Sequence, residues 1–110
     1  MTTNVIFPQA KARIKEIHRL SRCYNQKVKI SHQKRLLHLM RKHVAEIEEL
    51  CRRKDKHAVV ETGDLVILCF ELILEHRASL DKILTRCFIR YDQKLSGLLA
   101  DLPKSRRRSR

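Results

Sequence analysis

An all-α fold is what this sequence predicts, and three observations predict it. The 110 residues include two Gly, two Pro and three Phe with no Trp, a composition that favours helices over a turn-rich β fold. Apolar residues recur at helical spacing along most of the chain. The short polar turn Arg52-Arg53-Lys54-Asp55-Lys56 has the length that joins antiparallel helices. At this size the chain makes one helical domain, residues 1–102, followed by a basic tail, residues 103–110.

The first helix should begin at Pro8, since Pro is favoured in a first turn, and run to about Tyr24. Ile14, Ile17, Leu20 and Tyr24 form its apolar stripe, and Lys11, Arg13, Lys15, Arg19 and Arg22 cover the remainder. After a break at Asn25 to Ile30, Ser31 is the expected N-cap of a second helix reaching about Lys54. Its inner stripe is Leu36, Leu39 or Met40, His43, Ile47 and Leu50, so His43 points toward the core side. Asp55 is the expected cap of a third helix, His57 to Arg77, whose apolar character makes it central.

Glu61, Asp64, Glu71 and Glu75 share one stripe of that third helix, interleaved with Leu68 and Leu72. Carboxylates on an otherwise buried helix must meet a metal, a basic side chain or solvent. Gly63 costs the helix about 1 kcal/mol relative to Ala, which points to close approach by a neighbouring helix or a ligand. Ser79 should cap the fourth helix, Leu80 to Leu102. Its expected inner face holds Ile83, Leu84, Cys87, Phe88, Tyr91, Leu95, Leu98 and Leu99, while Arg86, Arg90 and Lys94 line another side. Pro103 ends the element, and the arginine-rich residues after it are too polar to pack.

Several function classes drop out. The longest apolar run, Leu65 to Phe70, is far short of the roughly 20 residues that span a bilayer, so no membrane partner is expected. Met1-Thr2-Thr3-Asn4 lacks the layout of a signal peptide, and the expected location is the cytoplasm. Cys23, Cys51, Cys69 and Cys87 stand apart with no CxxC pair, which argues against structural zinc and a disulfide framework and for buried free thiols. There is no glycine-rich phosphate loop, nucleophile elbow or HExxH motif. His18, His32, His38, His57 and His76 are expected to decorate surfaces or helix ends.

The stretch from His43 to Asp64 carries six of the twelve acids of a chain with net charge +13, among them Glu46, Glu48, Glu49, Glu61 and Asp64. Glu46 and Glu49 are spaced i,i+3, as are Glu61 and Asp64, so each pair projects from one helix face. Two facing pairs would bind a divalent cation, and oxygen-rich sets suit Mg²⁺ or Mn²⁺.

In this order the features resemble the MazG-like, all-α nucleoside triphosphate pyrophosphohydrolases, which place EExxE on one helix and ExxD on the next. Glu61-Thr62-Gly63-Asp64-Leu65 looks like the family's E-L-G-D-hydrophobic segment. Lys42-His43-Val44-Ala45-Glu46-Ile47 falls where E-E-hydrophobic-G-E-hydrophobic is expected, so Glu46 alone of the three acids survives there. An alternative register uses Glu46 with Glu49. The family's last helix carries a K-x-x-x-N-x-x-R pattern, whose places hold Cys87, Tyr91 and Lys94 here, with Arg86 or Arg90 as substitutes.

The resemblance implies a four-helix MazG-like bundle completed by dimerisation, or by a higher homo-oligomer. It implies hydrolysis of a nucleoside triphosphate to monophosphate and pyrophosphate, with Glu46, Glu61 and Asp64 on Mg²⁺ (or Mn²⁺). Glu49 or His43 would complete the shell or orient water, and Arg86, Arg90 and Lys94 would meet the phosphates.

A different class is also open. Lys and Arg number 25 against 12 acids, and the pI is about 10.2. Such a chain attracts polyanions in a salt-sensitive manner, so a basic helical module for nucleic acid or an acidic protein is the alternative.

Overall fold

The computed structural model describes residues 6–103, which form four α-helices with no strand among them. These are α1 (Pro8–Lys27), α2 (His32–Arg52), α3 (Ala58–Glu75) and α4 (Leu80–Ala100). Of the expected basic tail only Pro103 falls within the described residues. No helix among them is long and apolar enough to cross a membrane.

Local chemistry sets the helix starts. Pro8 opens α1, and Ser31 and Ser79 accept hydrogen bonds from the backbone N–H groups of Lys34 and Lys82 at the starts of α2 and α4. Asp55 is not the cap of α3. Its Oδ1 accepts from the His57 N–H at 2.8 Å within the turn, and His57 itself takes the N-cap position without a side-chain bond.

The first three helices end in the same way. Lys29, Lys54 and Arg77 adopt left-handed backbone with φ of 59°, 58° and 58°. The next residue's N–H then reaches back to a carbonyl of the last turn: Ile30 to Asn25 at 2.9 Å, Asp55 to Leu50 at 2.8 Å and Ala78 to Ile73 at 3.3 Å. This is the Schellman closure, usually made with Gly. Here cations hold the position, beside the negative end of each helix dipole.

Helix α3 is central, packing against α1, α2 and α4, with α2 its main partner. The fully apolar core is small: Ile14, Leu36, Leu68 and Leu80. Leu36 stands in the second turn of α2 and Leu68 near the middle of α3. At the other end of α3, Asp81 is buried in the first turn of α4, where it accepts from Lys11 Nζ and from the Ile6 N–H, joining α4 to the start of α1.

Beyond its first turns α4 departs from the other helices. Ile83, Leu84 and Cys87 are half-buried, but every residue from Phe88 to Ala100 is exposed, including Phe88, Tyr91, Leu95, Leu98 and Leu99 of the expected inner face. The radius of gyration is accordingly 17.7 Å, against roughly 13 Å for a compact chain of about this length.

Two further expectations are corrected. A Cβ at Gly63 would meet nothing within 4 Å, so no neighbouring helix requires glycine there. The cysteines are free, as expected, but Cys23 and Cys51 are exposed and only Cys69 and Cys87 are half-buried. Burial pushes the Cys69 thiol above its ordinary range.

Candidate metal centre

His43 on α2 faces the first half of the acidic stripe of α3. Its Nε2 lies 3.5 Å from Glu61 Oε1 and 3.8 Å from Asp64 Oδ2. Ligand atoms from all three residues lie within 4.8 Å of one another. The ring is oriented by its own helix, since His43 Nδ1–H donates to the Leu39 carbonyl at 3.0 Å. In the neutral ring that bond leaves the Nε2 lone pair directed at the carboxylates. The group is open to solvent: the Asp64 side chain is 52 % exposed, and a cavity of about 240 Å³ bounded by His43, Asp64, Ile67 and Leu68 adjoins it.

The other residues expected at this site are distributed around it. Glu46 is exposed and lies outside the convergent set, though it lines the next cavity together with Glu61, Glu49, Leu50, Arg53 and His57. His57 Nε2 sits 3.5 Å from the second oxygen of Glu61. Glu49 is engaged by Arg52 and by Arg53, the latter at 3.4 Å. Arg90 and Lys94 line a cavity with Tyr91 and Gln93, all on α4, and Arg86 is exposed on the same helix. Within one chain, that cavity includes none of the α2 and α3 residues.

The second half of the stripe forms a separate group that the sequence reading did not foresee. Glu71, only 3 % exposed, meets His18 of α1 and His32 of α2, where surface or helix-end histidines were expected. The two imidazoles lie edge to face, with ring centres 5.1 Å apart. Glu75, one turn on, is held by Arg22 Nη1 at 2.7 Å. Asn25 is buried beside them, and its Nδ2 lies 2.8 Å from His32 Nδ1. Burial pushes the His32 imidazole below its ordinary range, with Glu75 pulling the other way. The available signal was the acidic stripe itself, because Glu71 on an apolar helix required a partner. Nothing in the spacing of His18 and His32 identified which side chains would supply it.

Compared with protein-family models, curated proteins and solved structures, the chain matches none, so its functional reading rests on its own residues.

Proposed function

We propose that the chain is a metal-dependent nucleoside triphosphate pyrophosphohydrolase of the MazG-like kind, producing nucleoside monophosphate and pyrophosphate in the cytoplasm. The observation that carries this reading is the convergence of Glu61, Asp64 and a tautomer-fixed His43 at an open cavity. Glu61 and Asp64, with Glu46 on the wall of the adjoining cavity, form an oxygen set that fits Mg²⁺ or Mn²⁺. When bound, such an ion neutralises phosphate oxygens and favours in-line attack.

His43 is a nitrogen donor in that oxygen set, so it is better suited to proton transfer than to ligation. With Nδ1–H committed to Leu39, its Nε2 is free to take a proton from the attacking water. Glu49 is the weaker candidate for that role because Arg52 and Arg53 engage its carboxylate. Arg86, Arg90 and Lys94 would stabilise the leaving pyrophosphate if a second copy brought them to the site. The apolar residues exposed along α4 support such a homodimer.

Release of pyrophosphate from a panel of nucleoside triphosphates, with Mg²⁺ and with Mn²⁺, tests the proposal. Turnover should fall at least about a hundredfold in H43Q, in the range that general-base catalysis supplies. It should be abolished in E61Q and D64N while helix content is preserved. No turnover with either ion, together with salt-dependent binding of DNA or RNA, would instead assign the chain to the basic-module class. The net charge of +13 favours that second reading.

A further inference from the structure

We propose that His18, His32 and Glu71 form a second metal site, separate from the first and suited to a first-row divalent ion of the zinc type. The inference does not depend on the hydrolase reading. Its basis is a buried set of atoms that lack hydrogen bonds yet face one another. Glu71 Oε1, His18 Nδ1 and His32 Nε2 are all buried without a hydrogen-bond partner among the described residues. Glu71 Oε1 lies 3.5 Å from His18 Nδ1 and 3.9 Å from His32 Nε2. Those separations are too long for N–H···O bonds, which span about 2.7–3.2 Å. They approach the edge of a tetrahedron with zinc–ligand bonds of about 2.0–2.1 Å, which is about 3.3 Å.

The outer contacts direct the ring nitrogens. His18 turns Nε2 toward Glu75 Oε1 at 3.6 Å, a carboxylate that Arg22 already holds. With the proton on Nε2, on the Glu75 side, the Nδ1 lone pair faces Glu71. On His32 the roles are reversed: Nδ1 meets the buried Asn25 amide at 2.8 Å, and Nε2 faces Glu71, with Glu75 Oε1 at 3.9 Å. The oxygen and nitrogen of an amide are interchangeable by a flip. With Oδ1 toward the ring, Asn25 accepts from His32 Nδ1–H and frees the Nε2 lone pair. Each imidazole thus has one nitrogen on an outer partner and the other on the shared point.

Donor chemistry selects the ion. Two imidazoles and one carboxylate suit zinc and its neighbours, whereas Mg²⁺ prefers an all-oxygen shell and keeps several waters. Three protein ligands leave a fourth position for water. The absence of paired cysteines argues only against thiolate zinc, and an all-histidine and glutamate set leaves no trace in cysteine spacing. Because the ligands come from α1, α2 and α3, the ion would tie α1 to the central pair.

The test uses the full chain, stripped with a chelator and titrated with Zn²⁺ against a chromophoric competitor, then with Co²⁺ for its visible spectrum. The expected result is one tightly held ion per chain with the absorption of a four-coordinate Co²⁺ site. That ion should be retained in the E61Q/D64N double variant and weakened more than a hundredfold in H18Q and H32Q. N25A should weaken it by about tenfold to a hundredfold, the usual effect of an outer-shell partner. If H18Q or H32Q fails to fold, paramagnetically shifted imidazole signals of the Co²⁺-loaded wild-type chain decide. Shifted His18 and His32 support the site, and shifted His43 and His57 overturn it. The absence of micromolar binding, or an ion lost in E61Q/D64N and kept in H32Q, also overturns it.

Discussion

Two histidine–carboxylate groups lie along one face of α3, one with a single imidazole and two carboxylates and the other with two imidazoles and one carboxylate, and they differ most in exposure. His43, Glu61 and Asp64 sit at an open cavity, with the Asp64 side chain 52 % exposed. His18, His32 and Glu71 are enclosed by three helices, with the Glu71 side chain 4 % exposed. In the open group water can satisfy each carboxylate, so a ligand exchanges freely and little stability depends on the arrangement. In the closed group a carboxylate without its partners has no solvent to fall back on, so composition there is coupled to folding. Similar side chains are thus suited to an exchangeable ligand at one end of the helix and to holding the fold at the other.

The largest test of this contrast is Glu71→Ala with Zn²⁺ present. Breaking the closed group should cost about 3–5 kcal/mol in urea denaturation. A loss below 1 kcal/mol, about a fivefold change in the folded-to-unfolded ratio, would erase the distinction. Leu36→Ala comes next, because Leu36 is the one fully buried large side chain among the described residues and lies on α2 between His32 and His43. It should cost about 2–5 kcal/mol and weaken zinc binding and turnover together. If only one of the two changes, the groups are not set by a common α2–α3 packing.

Lys54→Gly should change stability by a smaller amount in the opposite direction. It relieves a left-handed residue in the turn between α2 and α3, and the gain of about 0.5–1 kcal/mol should appear as a higher melting temperature without altering zinc affinity. The smallest effect on stability belongs to Asp64→Asn, within about 0.5 kcal/mol of the parent even where the proposed turnover is expected to be lost. A large destabilisation by D64N would mean that the open group is structural as well.

The helices were legible because each has strong local determinants. Pro8, Ser31 and Ser79 mark starts that the structure keeps, and the apolar run of α3 identifies the central helix. Glu61 and Asp64 were legible as a pair for the same reason, since i,i+3 spacing on a helix fixes a common face. The direction of His43 toward them follows from its place on the inner stripe of α2, whereas its Leu39 hydrogen bond depends on a rotamer choice within that helix which spacing does not record. The closed group was not legible, because it joins residues from three helices whose relative register no local pattern records. The outer half of α4 was misread for a related reason. Its apolar periodicity is real, but periodicity identifies a face that needs covering and not the element that covers it within one chain.

The repeated closure at Lys29, Lys54 and Arg77 bears on the order in which the chain folds. Each left-handed residue reverses the backbone within a few positions, so successive helices meet while little chain has been immobilised. Contacts made this way are local in sequence, the condition under which helical proteins reach the native state in microseconds to milliseconds. Bringing α1 onto the finished α2–α3 hairpin closes a longer loop and is the step expected to come later. Zinc capture would then act after the hairpins form, as a latch on the last helix to dock rather than as a nucleus for the first.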